Sequence, residues 1–223
     1  MAQGTQAVGQ ATPVRLSLGY KVVWGVASLG TSLISGIYAA LLPIFYQDYL
    51  GLQARWIAIA SVIYAVWNAI NDPLFGYITD STRSRLGRRI PYMRYTAPFL
   101  GLTFILVWFA PVQAGQQPLF WWMLVTMLLY DTSYTIIGLV YSALLPEVTE
   151  SDAERNGLQI SSSLFGLLGT LLGFIIPDLF RPKAGDSLSL LPLQGSMIVV
   201  ALVGAALIIL TTFKVKERPE FHV

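Results

Sequence analysis

The chain has 223 residues, of which 55% are hydrophobic and 12% charged, with a net charge of +2. A soluble domain carries about 25% charged residues, so this composition excludes an ordinary soluble protein. The small net charge gives no indication of a nucleic-acid partner, and the absence of cysteine excludes disulfides, thiol nucleophiles and thiolate metal sites. The apolar runs are continuous and as long as helices, which favours helical spans over a transmembrane β-barrel.

In chain order, these runs predict an all-α integral membrane protein with six transmembrane helices, each about 20 residues long. Residues 1–19 are mostly polar and predict a flexible tail rather than a signal peptide. We divide the rest into a six-helix domain, 20–213, with two three-helix repeats at about 20–111 and 119–213, and a C-terminal tail, 214–223. The predicted spans are 20–46, 56–79, 93–111, 119–145, 158–180 and 194–213.

Lysine and arginine residues set the predicted orientation, because cytoplasmic connections carry an excess of them. With both termini inside, eleven of the 14 basic residues lie on the cytoplasmic side and three lie outside. We therefore expect both termini in the cytoplasm of a bacterial or archaeal cell, with the chain in its cytoplasmic membrane. The inside set is Arg15, Lys21, Arg83, Arg85, Arg88, Arg89, Arg94, Arg155, Lys214, Lys216 and Arg218, and the outside set is Arg55, Arg181 and Lys183.

The connection between the second and third helices is basic, whereas the connection after the fourth, 146–157, is mostly acidic. Opposite charges on two neighbouring connections predict ion pairs that form in one conformation and break in another. A solvated loop that only follows the inside-positive bias is the alternative. Asp80 is expected to pair with Arg89 or to cap a helix. The residues predicted to form this cytoplasmic gate are Asp80, Arg83, Arg85, Arg88, Arg89, Glu147 and Arg155.

Two acids lie far from the ends of the predicted spans, Asp72 in the second helix and Asp131 in the fourth. A charge at this depth costs at least about 2.5–3.5 kcal/mol, which makes each acid a functional candidate. Counting back from the cytoplasmic ends at roughly 1.5 Å per residue puts Asp131 level with Asn68, and Gly138 level with Asp72. Two polar strips are therefore expected to face one another across a cavity. The alternative is that both acids are structural groups satisfied by hydrogen bonds.

Small residues recur at spacings of three and four in the first and fifth helices. This spacing puts them on one face of each helix, where two backbones can approach closely, and it predicts tight helix contacts. The residues are Ser28, Ser32, Ser35 and Gly36 in the first helix, and Ser162, Gly166, Gly169, Thr170 and Gly173 in the fifth.

Two segments resemble a known family. "NDPLFGYITDSTRSRLGRR", 71–89, and "YTIIGLVYSALLPEVTESDAERNGL", 134–158, resemble the major facilitator superfamily in the form of the glycoside–pentoside–hexuronide:cation symporter (melibiose permease-like) family. The resemblance implies a 12-helix carrier of two six-helix halves that alternates between inward-open and outward-open states. This chain resembles the N-terminal half. The second half would be another copy or a separate chain, unless the sequence is a fragment.

The resemblance also implies which positions hold a coupling cation and a solute. Of four carboxylates in the family's pattern only Asp72 is present, and Ser32, Asn68 and Gly138 occupy the other positions. We expect Asp131 to replace one missing charge. The candidates for cation or proton coupling are Asp72, Asn68, Asp131 and Thr135. The candidates for the solute cavity are Ser28, Thr31, Ser32, Ser35, Tyr38, Tyr64, Tyr134, Tyr141 and Ser142.

These observations favour a half-size secondary carrier that forms a homodimer or pairs with a separate half. Its expected cargo is a small polar or amphipathic solute, sugar-like in chemistry, moved with Na⁺ or H⁺ across the lipid bilayer. The alternative is a membrane subunit that does not transport but scaffolds or assembles a larger complex. The sequence offers no nucleophile–base pair, metal-binding cluster or phosphate-binding glycine loop, so we expect neither an enzyme nor a resident metal or cofactor.

Overall fold

A computed structural model of the protein describes residues 15–82, 87–180 and 190–217. Within these ranges the chain forms six helices, and all six are long and apolar enough to cross a membrane. This confirms the predicted all-α class with six transmembrane helices. The helices are α1 (Leu18–Ile44, continued by a π-helical turn at Phe45–Tyr49), α2 (Ala54–Ser81), α3 (Ile90–Trp108), α4 (Gln116–Val148), α5 (Asp152–Phe180) and α6 (Leu191–Lys214).

Several helices begin earlier than the predicted spans, because a helix does not have to end where the membrane does. α5 begins at Asp152 and carries Asp152 and Glu154 in its first turn, where the helix dipole favours carboxylates. α3 begins at Ile90, with Pro91 in the first turn, where its missing N–H costs no hydrogen bond. Hydropathy alone gives the predicted starts at 93 and 158, and because it detects only the apolar part of a helix, both are too late.

The helix pairings follow a simple scheme. α1 packs against α5 and α6, α3 packs against α4 and α6, and α2 packs mainly against α4. The scheme is unchanged when the first three helices are exchanged with the last three, which is what two three-helix repeats would produce. The division into repeats stays a prediction.

The contact between α1 and α5 is built on the small residues that the sequence analysis singled out. A methyl group on Gly169 would lie 2.5 Å from the carbonyl oxygen of Leu29, and one on Gly173 would lie 2.9 Å from the backbone nitrogen of Ile37. Only glycine allows the backbones to come this close, so the expected tight contact is confirmed. Gly30 and Gly204 bring α1 and α6 together in the same way.

α2 and α5 bury few residues of their own. α2 buries Ala60, Asn71 and Thr79, whereas α4 buries a whole series of apolar side chains along its length. The core therefore lies among α1, α3, α4 and α6, and broad faces of α2 and α5 are left uncovered. Part of the uncovered surface is polar, and it forms the candidate site.

Candidate functional site

The two predicted polar strips face one another across a cavity of about 290 Å³ between α2 and α4. Both intramembrane acids line it, as do four other predicted site residues on α2 and α4. The glycine that stands in place of a family carboxylate lines it as well. The expected cavity is therefore present, and we call it the α2–α4 cavity. Its lining residues are Tyr64, Asn68, Asp72, Asp131, Tyr134, Thr135, Gly138 and Leu139.

Asp131 lies near the middle of α4 and is 4% exposed. Its Oδ1 accepts a hydrogen bond from the Tyr64 hydroxyl at 2.9 Å, and its Oδ2 accepts one from the Asn71 amide at 3.0 Å. Both donors are neutral and both lie on α2, so this carboxylate joins the two helices without an ion pair among the described residues. The same two hydrogen bonds agree with the alternative that Asp131 is a structural acid.

Asp72 differs from Asp131 in that its side chain is exposed to the cavity. The Thr135 hydroxyl donates to Asp72 Oδ1 at 3.4 Å. Asn68 lies one turn earlier on α2 and donates from its amide nitrogen to the Tyr64 hydroxyl at 3.3 Å. Because the Asn68 amide nitrogen faces the Tyr64 hydroxyl, the Asn68 amide oxygen points away from that hydroxyl. The four coupling candidates thus come together at one cavity. Pro73 follows directly after Asp72, and α2 continues through it.

A ladder of tyrosines connects this cavity with the core. Tyr134 lines the cavity and stacks on Tyr130, with ring centroids 6.0 Å apart. Tyr130 stacks in turn on Tyr38 of α1 at 4.0 Å. The hydroxyls of Tyr38 and Tyr130 are buried and have no hydrogen-bond partner among the described residues. Tyr38, which the sequence analysis assigned to a solute cavity, is therefore placed behind the cavity wall in this conformation.

A second cavity, of about 150 Å³, lies between α1, α4 and α5. The predicted solute residues Tyr141 and Ser142 line it. Tyr141 stacks on Trp24 at 4.6 Å, and its hydroxyl donates to the Trp24 carbonyl at 2.8 Å and is hydrogen-bonded to Ser162 at 2.7 Å. We call it the α1–α4–α5 cavity. Its lining residues, Trp24, Tyr141, Ser142, Leu145, Gln159, Ser162 and Ser163, are all uncharged.

Four other solute candidates on α1 are placed elsewhere. Ser28 and Ser32 lie at the contact with α5, where their Oγ atoms are 3.0 and 3.3 Å from a methyl group built on Gly166. Thr31 and Ser35 donate to carbonyls of their own helix. None of the four lines either cavity. The spacing that made them look like a polar cavity face is the same spacing that lets two helices pack closely.

Part of the predicted gate forms an ion-pair cluster where α2 ends and α3 begins. Arg89 pairs with Asp80 at 2.8 Å and with Glu147 at 2.7 Å, and Arg88 pairs with Glu147 at 2.6 Å. The expected Asp80–Arg89 pair and the pairing of Glu147 with the arginines are therefore present. The Arg89 and Glu147 side chains are only 9% and 6% exposed, whereas Asp80 is 61% exposed. We call Asp80, Arg88, Arg89 and Glu147 the ion-pair cluster.

Arg155 does not join this cluster, contrary to the expectation. Its Nε donates to the Thr149 carbonyl at 2.9 Å, and its guanidinium lies 3.5 Å from Asp152. It therefore bridges the turn between α4 and α5, because an arginine in the first turn of α5 can reach back over the end of α4. Glu154, an acid of the connection 146–157, pairs with Lys21 at 2.8 Å. The predicted gate residues Arg83 and Arg85 lie outside the described residues, as do Arg181, Lys183 and Arg218.

Sequence reasoning missed Glu217, in the segment assigned to a C-terminal tail. Its carboxylate accepts hydrogen bonds from the backbone N–H groups of Arg88, Arg89 and Ile90 at 2.6 to 2.7 Å. Glu217 is 4% exposed, so the described part of the tail is packed onto the bundle. Gly87, just before the arginines, was a sequence signal for a turn, but no local pattern indicates a partner more than 120 residues away.

Residues 23–222 match the model of a family described as MFS/sugar transport protein. The chain belongs to this family. The match agrees with the resemblance carried by the segments 71–89 and 134–158, and it covers all six helices apart from the first five residues of α1.

Three relatives illustrate the range of the family. An uncharacterised symporter of Synechocystis is 30% identical over 161 residues, 70% of this chain and 30% of that protein. A putative glycoside/cation symporter of Escherichia coli, YagG, is 28% identical over 211 residues, 94% of this chain and 45% of that protein. A sodium-dependent lysophosphatidylcholine symporter of Xenopus tropicalis is 28% identical over 163 residues, 73% of this chain and 31% of that protein.

The chain thus spans less than half the length of these relatives. They are named as symporters, in agreement with the expectation that the chain is not an enzyme.

Proposed function

We propose that this chain is one half of a cation-coupled carrier and that a second copy of the same chain completes it. The observation that carries the proposal is the α2–α4 cavity, where Asp72 and Asp131 bring two carboxylates together within two membrane-spanning helices. Carboxylates at this depth are costly and mark ion pathways in membrane proteins. Relatives named as glycoside/cation and sodium-dependent symporters support a cation as the cargo that these acids attract.

Asp72 is the residue that we assign to the coupling cation, Na⁺ or H⁺. Its carboxylate is exposed to the cavity, and the Thr135 hydroxyl beside it and the Asn68 amide oxygen one turn away supply further oxygens. Oxygen donors of this kind suit a hard cation. Asp131 accepts one hydrogen bond at each carboxylate oxygen, and from its buried position it adds a second carboxylate to the cavity wall.

The α1–α4–α5 cavity is our candidate for contact with the solute. It combines the stacked pair of Trp24 and Tyr141 with the hydroxyls of Ser142 and Ser163 and the Gln159 amide, and it holds no charged group. An aromatic face next to neutral donors and acceptors suits a small polar or amphipathic solute of sugar-like chemistry. The ring of Tyr134 offers a second such face in the neighbouring cavity.

The second copy would cover the open faces of α2 and α5. Asp72, Gln159 and Ser163 are exposed there, and a polar face within the membrane is costly against lipid. A second six-helix half would turn this face into a protein-lined pathway. Halves of such carriers are related by a pseudo-twofold axis along the membrane normal, so two identical chains satisfy the same geometry. The exposed face therefore favours a homodimer.

The excess of basic residues supports a cytoplasmic location for both chain ends, and with them for the ion-pair cluster. There the cluster would act as the cytoplasmic gate, since buried pairs that exist in only one conformation bias the population of that conformation.

The test is transport by the purified 223-residue chain in liposomes. Solutes from a panel of glycosides, other polyols and lysolipids are offered with an inward Na⁺ or H⁺ gradient. We expect gradient-driven uptake of at least one solute, lost in Asp72→Asn and kept in Asp48→Asn, an exposed acid at the end of α1. Uptake that does not respond to the gradients, or that is the same with Asp72→Asn, would overturn the assignment.

One observation favours the second candidate, a subunit that does not transport. Two positions that hold carboxylates in the family's pattern are occupied by Ser32 and Gly138. Ser32 is packed against α5, and the space around Gly138 is open. A chain that has lost these groups could scaffold a larger complex through the face of α2 and α5. Recovery of a stoichiometric complex with a protein of unrelated sequence in mild detergent would support this candidate.

A further inference from the structure

Glu217 caps the first turn of α3 from the far end of the sequence. The first N–H groups of a helix have no acceptor within it and need one from elsewhere. Arg89, the residue before α3, provides no side-chain cap. Instead, Glu217 Oε2 accepts from the Arg88 N–H at 2.6 Å, and Oε1 accepts from Arg89 and Ile90 at 2.7 Å. Three charge-assisted hydrogen bonds to one buried carboxylate are a strong anchor.

The backbone before α3 is shaped to receive this carboxylate. Gly87 has φ of +102°, a conformation that other residues rarely adopt. A methyl group on Gly87 would also lie 2.5 Å from Glu217 Oε2. Glycine is therefore required here both by its backbone angle and by the approach of Glu217.

The chain leading to Glu217 is fixed to α3 as well. Arg94 donates to the Thr212 carbonyl at 2.9 Å and to the Thr212 hydroxyl at 3.1 Å, and its guanidinium lies 4.4 Å from the centre of the Phe213 ring. Val215 is buried. The segment from Thr212 to Glu217 thus follows the first turns of α3 and ends at the arginines.

The arginines whose backbone Glu217 holds are the same ones whose side chains form the ion-pair cluster. Arg88 and Arg89 both reach Glu147 on α4, and Arg89 also reaches Asp80 on α2. A shift of this short backbone segment would move both guanidinium groups at once. Residues 88–90 therefore connect α2, α4 and the segment after α6.

We propose that Glu217 is a positioning residue for the ion-pair cluster, linking the segment after α6 to the contact between α2, α3 and α4. When Glu217 is bound, Arg88 and Arg89 are held where they pair with Glu147. When the segment moves away and withdraws Glu217, the arginines lose that geometry and the ends of α2 and α4 separate more easily. The consequence for a gate rests on the proposed function, whereas the linkage itself does not.

The test compares Glu217→Ala and Glu217→Gln with Lys216→Ala, a matched change at the exposed neighbouring residue. Hydrogen exchange is measured at the amides of 88–90. Distances are measured between spin labels on cysteines introduced at Ser81 and Ala153, since the chain has no cysteine of its own. Both positions are exposed. Ser81 reports on the end of α2, and Ala153, in the first turn of α5, reports on the end of α4 just before it.

We expect Glu217→Ala to speed exchange at these amides by at least roughly tenfold, because it removes hydrogen bonds to a charged acceptor, and to broaden the distance distribution. Glu217→Gln keeps an acceptor oxygen and should be intermediate, and Lys216→Ala should match the parent chain. Gly87→Ala, which displaces the carboxylate without removing it, should reproduce Glu217→Ala.

Unchanged exchange in Glu217→Gln and Gly87→Ala would overturn the proposal. So would faster exchange with an unchanged distance distribution, because Glu217 would then be a helix cap without influence on the ion-pair cluster. Neither measurement uses transport, so a negative uptake experiment counts against the proposed function and leaves this linkage to be decided by its own readouts.

Discussion

The Asn71 amide on α2 donates a hydrogen bond of 3.0 Å to the Asp131 carboxylate on α4, and both side chains are buried. Asn71 is one of three residues that α2 buries. Two further hydrogen bonds join α2 to α4 at this depth, from Tyr64 to Asp131 and from Trp67 to Thr132. Polar contacts therefore hold α2 against α4.

This contact predicts a stability effect. Asn71→Ala should lower the free energy of unfolding by about 1–3 kcal/mol, because it leaves a buried carboxylate with one donor fewer. Asn68→Ala is the control, since that amide makes a longer bond of 3.3 Å to the Tyr64 hydroxyl and its side chain is half-buried. Denaturant unfolding in detergent measures both variants. Equal effects would show that the bond to Asp131 does not hold α2.

A second prediction concerns the coupling cation. A ligand present at 100 times its dissociation constant stabilises a protein by about 2.7 kcal/mol. If Na⁺ is that cation, added Na⁺ should raise the Tm of the parent chain and should not raise that of Asp72→Asn. Asp80→Asn, outside the α2–α4 cavity, should keep the response. A response that survives in Asp72→Asn would place the cation elsewhere.

A third prediction separates the two ion pairs of Arg89. Glu147→Ala leaves the guanidinium of a buried arginine without its buried partner, which should cost about 3–5 kcal/mol. Asp80→Ala removes a partner that is 61% exposed, and the expected cost is about 0–1 kcal/mol. Unfolding of the two variants in the same detergent measures the difference. A loss of similar size in both would mean that the burial of Glu147 does not matter.

A fourth prediction tests the contact between α1 and α5. Gly169→Ala places a methyl group 2.5 Å from the Leu29 carbonyl oxygen, so the helices must move apart, at a cost of about 1–3 kcal/mol. Gly195→Ala is the matched control, because nothing lies within 4 Å of its methyl position on α6. That change should be neutral or slightly stabilising. Thermal unfolding of both variants gives the comparison, and a stable Gly169→Ala would contradict the close approach.

Much of this architecture could be predicted from the sequence because hydropathy alone marks helices that must cross a membrane. The pairing of the α2 and α4 strips followed from counting residues along two helices of known rise, and Asp131 and Asn71 confirm it. The role of the small-residue face of α1 was harder to predict, because Ser28 and Ser32 suit a polar cavity as well as a tight helix contact. Glu217 could not be found, because its hydrogen bonds depend on how α6 packs against α3 and not on any local pattern.

The most direct test of the central claim is the mass of the 223-residue chain, released from lipid nanodiscs and measured by native mass spectrometry. If two copies complete the carrier, the main species has twice the chain mass of 24.5 kDa. A main species of one chain, or a complex with an unrelated protein, would contradict a carrier built from two identical halves.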